Sequence, residues 1–171
     1  MLYSKPTTVE SEENSNNQNA DGDDQAGGGG SVCHDDSWVW YMNRCLKIVE
    51  SKKTWTEART ECQGAAQSAD LLSIGKNNVH FHLSQWDLLN NDEYYWVGGY
   101  QENEVWKWVD GTDNTLDNRW LRDYQPFQPD DEGLQGDSPA DHIAFKLEQF
   151  GGRWFDMNEQ STFFFICIHA Y

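Results

Sequence analysis

Four cysteines constrain the fold of this chain more than any other feature of its sequence: Cys33, Cys45, Cys62 and Cys167. They form no Cys-x-x-Cys motif and no Cys/His cluster with zinc spacing, so they indicate disulfides and an oxidising compartment. Three pairings are possible. "WVWYMNRCLKIV" predicts a hairpin that turns at residues 42–44, with Cys33 and Cys45 near its two outer ends, which favours that short pair. Cys62 and Cys167 would then link the start of the domain to its end.

The first 31 residues differ in composition from the rest of the chain. They are rich in Gly, Asn and Ser, hold almost no large apolar side chain, and carry six acidic residues against one basic residue. Such a segment lacks the apolar surface that would order it. We therefore expect residues 1–31 to be a disordered acidic tail or linker and residues 32–171 to form one domain.

The charge of the chain limits its partners. Acidic residues outnumber Lys and Arg by 29 to 12, which gives a formal net charge of −17. This charge repels nucleic acid and anionic lipid headgroups, so we expect no nucleic-acid partner. No apolar segment follows Met1 and no run of about 18 apolar residues occurs, so neither a signal sequence nor membrane insertion is predicted. The sequence also lacks catalytic motifs, which predicts a binding protein rather than an enzyme.

Two helices are predicted from local patterns. Thr54 with Glu57 three residues later forms a capping box, which predicts a helix from about Trp55 to Gly64 with Trp55, Ala58 and Cys62 on its buried face. A second amphipathic helix is predicted around residues 79–86, where apolar residues recur at helical spacing.

The rest of the pattern is typical of strands joined by a long loop. The short aromatic and β-branched segments "YYWVGGY", "VWKWVDG", "HIAFKL", "RWFDM" and "FFFICI" are predicted to be strands. Trp106 and Trp108 alternate along one of them and are predicted to share a core-facing side. Residues 113–141 show no periodic pattern, and so long a loop in a compact domain indicates a functional segment.

The order of these segments resembles that of a C-type lectin-like domain of the long form, over residues 33–169. The segments are, in order, the cysteine hairpin, the "TWTEARTEC" helix, "WVGG", "VWKWVDG", the Gln-Pro loop, "RWFD" and "FFFICI". The most specific part is "WVGG" followed by Trp106-x-Trp108-x-Asp110-Gly111. The resemblance implies an α+β fold in which two helices flank two small antiparallel sheets, with a long irregular loop region as the ligand-binding face. It also implies the disulfides Cys33–Cys45 and Cys62–Cys167.

The sequence departs from this family at a third disulfide. The family has a cysteine where this chain has His142, and the partner cysteine falls near Glu159. A hydrogen bond or ion pair between His142 and Glu159 would replace the disulfide and would depend on pH. In the alternative, both side chains point to solvent.

The resemblance implies a calcium-dependent sugar site in the long loop. Calcium takes about six to eight oxygen ligands, and the family supplies them from a Gln/Glu-Pro-Asp/Asn motif, a loop Glu and an Asn-Asp pair after the core Trp. The counterparts here are Gln128-Pro129-Asp130, which resembles galactose-type members, and Asp156. The loop Glu is replaced by Ala140 and the Asn by Phe155.

The candidate site therefore retains part of the family's ligand set. Gln128, Asp130 and Asp156 are the candidate calcium ligands, and Asp131 beside them is a further candidate for ligand binding. The sequence requires no cofactor and leaves calcium as the one candidate.

The sequence favours a secreted or extracellular binding module. We expect it to recognise a glycan or an extracellular protein through residues 113–141, without the usual calcium-dependent sugar site. An alternative is a structural component of an extracellular matrix, coat or filament that self-associates through its acidic tail and surface. A second alternative is a calcium-dependent galactose-type lectin that uses Gln128-Pro129-Asp130.

Overall fold

A computed structural model of the protein describes residues 33, 35–41, 43–74, 89–112, 120, 128–130, 139–148 and 151–170. They lie within a compact unit, Ser31–Tyr171. The predicted tail, residues 1–31, lies outside the described residues and stays a prediction. The elements in chain order are β1 (Val39–Tyr41), β2 (Arg44–Lys53), α1 (Trp55–Ala65), β3 (Asp70–Leu71), β4 (Tyr95–Glu102), β5 (Val105–Trp108), β6 (His142–Glu148), β7 (Gly151–Met157) and β8 (Phe163–Ala170). No helix among the described residues is long and apolar enough to cross a membrane.

The first hairpin and its disulfide are present. β1 pairs antiparallel with β2, and Asn43 in the turn takes a φ of 60°. Cys33 and Cys45 are bonded, as predicted. Cys45 lies opposite Trp40, close to the turn, so its predicted position at an outer end of the hairpin is wrong. Cys33 lies just before a turn that leads into β1, in which the Trp38 N–H donates to the Asp35 carbonyl at 3.2 Å.

Helix α1 begins at the predicted capping box. The Thr54 hydroxyl accepts the Glu57 N–H, and the Glu57 carboxylate accepts the Thr54 N–H at 3.1 Å. The buried residues of the helix are the three predicted ones, Trp55, Ala58 and Cys62. Because Cys62 faces inward, it reaches β8 and forms the second predicted disulfide, Cys62–Cys167.

The strands of the described residues form one sheet in the order β1-β2-β8-β4-β6-β7, with β3 paired to β8 and β5 to β4. Neighbours are antiparallel except β4 and β8, which run parallel through the pairs Tyr95–Phe164 and Trp96–Phe165. The prediction of two small antiparallel sheets is therefore wrong here, because this short parallel contact joins them into one mixed sheet. The second predicted helix lies outside the described residues.

Two apolar clusters cover the two faces of the sheet. Along β4, Tyr95 belongs to one cluster and Trp96 to the other, as the alternation of a strand requires. The first cluster contains the buried face of α1, and the second contains Trp108 with the partly buried Trp106 packed against it. The prediction that Trp106 and Trp108 belong to the core is confirmed.

Candidate functional site

The three candidate calcium ligands come together at the end of β7. Gln128 and Asp130 lie on one segment, separated by Pro129, and Asp156 lies on the strand beside it. The bond between Gln128 and Pro129 is cis. Gln128 is 5% exposed and Asp156 is fully buried, whereas Asp130 is half-buried. Residues that are 26 and 28 positions apart in the chain are thus held as one polar cluster.

Hydrogen bonds join this cluster in both directions. The Gln128 side-chain oxygen accepts the N–H of Asp156 at 3.0 Å. The Asp156 carboxylate in turn accepts the N–H of Asp130, at 3.0 and 3.2 Å for its two oxygens. The Gln128 side-chain N–H donates to the Asp130 carboxylate at 3.0 Å. Each of these side chains therefore has a defined position before any ligand arrives.

Strand β7 carries Asp156 to the site because of its packing. Trp154, two residues earlier and on the same face, is fully buried and makes edge-on ring contacts with Trp108 at 5.2 Å and with Trp120 at 5.7 Å. Across the ladder, Ile143 of β6 lies opposite Asp156. These apolar contacts anchor the strand, so the carboxylate of Asp156 is placed by the core.

The two positions at which the family's ligands are replaced supply no side-chain oxygen. Ala140 is 1% exposed. Phe155 belongs to the first apolar cluster, on the other face of β7 from Trp154, and packs edge-on against Tyr94 at a ring distance of 5.2 Å. The ring of Phe155 therefore belongs to the core and lies on the face of β7 opposite to that of Trp154.

The donor set matches calcium in kind and falls short of it in number. Gln128, Asp130 and Asp156 together offer one amide oxygen and two carboxylates, which are oxygen ligands of the type that calcium takes. The two carboxylates balance the charge of one divalent ion. No group of three or more His, Cys, Asp or Glu side chains suited to a metal occurs among the described residues. Asp131 lies outside the described residues.

At the position of the missing third disulfide, a different set of contacts occurs from the predicted one. His142 Nδ1 lies 2.7 Å from the Asp141 carboxylate, and the imidazole packs on the Trp55 ring at 4.4 Å. The Glu159 carboxylate accepts a hydrogen bond from the Thr56 hydroxyl. The expectation of a His142–Glu159 hydrogen bond is thus wrong, and so is the alternative in which His142 points to solvent, because its side chain is 13% exposed.

The environment of His142 favours its neutral form. Burial lowers the pKa of His142 below its ordinary 6.5, and the nearby negative charges of Asp141 and Glu159 oppose this shift only in part. Glu159 thus acts on His142 through its charge rather than through a hydrogen bond.

Sequence reasoning missed Asn158, which connects the end of the long loop to β7. The Asn158 side-chain N–H donates to the Pro139 carbonyl at 3.2 Å. No local pattern marks this contact, because it joins two loops. The one available signal was the position of Asn158 directly after the strand that carries Asp156.

Comparison with known proteins gives a family match over most of the chain. The family model of the lectin C-type domain matches residues 51–169. The mouse C-type lectin domain family 10 member A is 30% identical over 76% of this chain, and the rat asialoglycoprotein receptor 1 is 32% identical over 66%. The chain spans 40% and 38% of the length of these two relatives. The lactose-binding lectin l-2 of Anguilla japonica is 29% identical, over 78% of this chain and 76% of the relative.

A solved structure gives the same fold. The C-type lectin domain of murine dendritic cell inhibitory receptor 2, determined in complex with an N-glycan, superimposes with a TM-score of 0.62 over 80% of this chain and 98% of that one. Because the two share 19% sequence identity, the match concerns the fold alone.

Proposed function

This chain belongs to the C-type lectin domain family, and from that premise we propose that it binds glycans ending in galactose at the cluster of Gln128, Asp130 and Asp156, with the help of calcium. The family consists of binding domains rather than enzymes. The observation that carries the proposal is the convergence of the Gln128-Pro129-Asp130 segment with the buried Asp156.

The geometry of this cluster supports sugar recognition. Sugar hydroxyls bind to fixed, convergent hydrogen-bond acceptors and donors, and sites of this kind depend on side chains that are ordered in advance. Gln128 and Asp156 are held by bonds to the main chain of the opposite segment, while Asp130 keeps part of its surface open to solvent. Asp130 is thus the residue best placed to meet a ligand, and Asp131 follows it in the same segment.

The relatives support galactose as the sugar. One relative carries lactose binding in its name, and lactose ends in galactose. The segment Gln128-Pro129-Asp130 also resembles the motif of galactose-type members of the family. Both considerations favour a galactose-type lectin over the reading in which the long-loop face binds without calcium.

Gln128, Asp130 and Asp156 would hold the calcium ion. When bound, the ion would supply a positive charge with coordination positions that sugar hydroxyl oxygens can occupy. Calcium affinity depends on the number of charged ligands. Because Ala140 and Phe155 contribute no side-chain oxygen, we expect this site to bind calcium more weakly than a site with all five of the family's side-chain ligands.

The proposal places this domain outside the cell, where it would recognise a glycan or a protein. The two disulfides agree with an oxidising compartment.

Assembly through the acidic tail is the structural alternative, and it concerns residues outside those described. Light scattering of the chain with and without residues 1–31 would test it. Loss of association on truncation would favour assembly.

Calorimetry with lactose tests the proposal directly. Lactose and methyl α-mannoside are titrated into the chain, once with about 5 mM calcium, a concentration suited to a weak site, and once with EDTA. We expect lactose to bind more tightly than the mannoside, and EDTA to abolish its binding. Lactose binding that survives EDTA would overturn the role of calcium, and no binding of either sugar would overturn the proposal.

A matched pair of variants locates the site. Asp130→Asn removes one charge from the cluster and keeps the shape of the side chain, so we expect the affinities for calcium and lactose to fall by about tenfold or more. Asp92→Asn removes one charge from an exposed turn and should leave both affinities unchanged. Equal affinities in the two variants would place the sugar elsewhere.

A further inference from the structure

The turn after β7 ties together three separate parts of the fold. Its residues 158–161 are ordered by a hydrogen bond from the Ser161 N–H to the Asn158 carbonyl at 3.0 Å and by one from the Gln160 N–H to the Asn158 side chain at 2.8 Å. The Asn158 side chain then reaches the Pro139 carbonyl at 3.2 Å. The turn that follows Asp156 is thus joined to the end of the long loop.

Glu159 joins the same turn to the start of α1. Its carbonyl accepts the N–H of Trp55 at 3.3 Å, and its carboxylate accepts the hydroxyl of Thr56. The N–H groups at the start of a helix have no partner within the helix, so such a contact satisfies a group that would otherwise need water. The turn is therefore fixed to α1 as well as to the long loop.

His142 completes this junction from the side of β6. Its ring packs on Trp55 at 4.4 Å and lies 6.5 Å from the ring of Trp96. Across the ladder, His142 lies opposite Met157, the residue after Asp156. His142 therefore lies between the helix to which Glu159 is bonded and the strand that carries the sugar site.

We propose that His142, Asn158 and Glu159 form a non-covalent clasp that positions Asp156 and the end of the long loop, and that the clasp loosens when His142 gains a proton. This inference rests on the proposed function for its effect on sugar binding. The clasp stands where the family has a disulfide, and the difference is that hydrogen bonds and ring packing respond to pH.

Burial of His142, opposed by the charged groups around it, determines the direction of the effect. Asp141 and Glu159 are the carboxylates that act on it, and the guanidinium of Arg59 lies 5.5 Å from the Trp55 ring on which His142 packs. The two carboxylates favour the protonated imidazole, but its burial disfavours it more strongly, so the pKa is lowered. Protonation therefore costs more in the folded protein than in the unfolded chain.

The sign of the pH dependence follows from this lowered pKa. The contribution of neutral His142 is fully present above its ordinary pKa of 6.5 and is lost as the pH falls from there through the lowered value. His142 packs on Trp55 at the start of α1 and lies opposite Met157 on the strand that carries Asp156. We therefore expect the loss of stability in acid to appear first in the clasp and at the candidate site.

Hydrogen exchange of backbone amides tests the clasp without a ligand. Protection of the amides of Gln128 and Asp130, of residues 140–142 and of residues 156–159 is compared at pH 7.5 and pH 5.5, after correction for intrinsic exchange rates. We expect protection to fall in acid, because the lowered pKa of His142 makes its protonation cost more in the folded protein than in the unfolded chain. His142→Gln keeps a polar side chain but does not titrate, so it should remove this pH dependence. His169→Gln should retain it.

Lactose titration at the same two pH values gives the second measurement. We expect wild-type affinity to fall in acid, the His142→Gln variant to lose that fall, and Asn158→Ala to bind lactose several times more weakly at both pH values. Equal exchange of the clasp amides at both pH values, or a pH dependence that persists in His142→Gln, would overturn the clasp. If wild type fails to bind lactose at pH 7.5, the proposed function fails, and hydrogen exchange still decides the clasp.

Discussion

The N–H of Asp156 donates to the side-chain oxygen of Gln128 at 3.0 Å, across 28 residues of chain. The carboxylate of Asp156 accepts the N–H of Asp130, so the two segments exchange main-chain to side-chain hydrogen bonds in both directions. This pair of hydrogen bonds resembles the pairing between two neighbouring strands, except that a side-chain oxygen replaces the main-chain carbonyl as the acceptor in each bond. The candidate site is consequently part of the structural support of the domain as well as its proposed binding surface.

Replacement of Gln128 by alanine should therefore lower stability as well as binding. The change removes the acceptor of the Asp156 N–H in a buried setting, and an unsatisfied buried group costs about 1–3 kcal/mol. Gln63→Ala is the control, because that glutamine is exposed on α1 and its side-chain N–H donates to Asp70 at 3.2 Å on the exposed side of the molecule. Urea denaturation of both variants measures the difference. Equal unfolding free energies would mean that water replaces the Gln128 side chain.

The sequence predicts the local elements of this fold well. The capping box of Thr54 and Glu57 involves residues three positions apart, and the hairpin turn at Asn43 involves direct neighbours. Such features depend on the local chain alone and are visible in its pattern. The convergence of Gln128, Asp130 and Asp156 was predicted because the family resemblance supplied the long-range information that local patterns lack.

Contacts between distant residues were not predictable in this way. The parallel pairing of Tyr95 with Phe164, which turns two predicted sheets into one, depends on how separate hairpins dock. The bonding of Glu159 to Thr56 instead of His142 likewise depends on where the turn after β7 meets α1. Neither docking arrangement leaves a periodic signal in the sequence.

The two disulfides should contribute unequally to stability. Cys62 and Cys167 are 105 residues apart, whereas Cys33 and Cys45 are 12 apart. In the chain-entropy model the long loop contributes about 5 kcal/mol and the short one about 3 kcal/mol. We expect the double alanine variant of Cys62 and Cys167 to unfold at lower denaturant than the double variant of Cys33 and Cys45. The reverse order would show that packing around the first hairpin outweighs loop length.

Loss of the N-cap of α1 should lower the stability of the domain by less than loss of a disulfide does. Thr54→Ala removes the acceptor of the Glu57 N–H and should destabilise the domain by about 1 kcal/mol, within a range of about 0.5–2 kcal/mol. Thr54→Ser keeps the hydroxyl and should retain most of that stability. The free energy of unfolding in urea measures both. If Ser and Ala gave equal values, the hydroxyl of Thr54 would have no role in stability.

The other half of the capping box should respond to acid. The hydrogen bond from the Thr54 N–H lowers the pKa of Glu57 below its ordinary 4.5, followed by the bond from the Thr54 hydroxyl. A lowered carboxyl pKa contributes stability above its ordinary value, and this contribution is lost as the pH falls through the folded value. Glu57→Gln should therefore lose stability relative to wild type at pH 6, with the gap closing towards pH 3. Denaturation at both pH values checks this, and a constant gap would contradict it.

Two glycines with opposite surroundings should respond oppositely to alanine. A Cβ on Gly99 in β4 would lie 2.7 Å from Cγ1 and 2.9 Å from Cβ of Ile143, a buried residue of β6. Such overpacking costs about 1–3 kcal/mol, so Gly99→Ala should destabilise the domain. Gly64 lies on an exposed position of α1 with nothing within 4 Å of an added Cβ. Because alanine favours a helix over glycine by about 0.5–1 kcal/mol, Gly64→Ala should stabilise it. Thermal and urea denaturation of the two variants measure both signs, and a stabilised Gly99→Ala would mean that Ile143 moves aside at little cost.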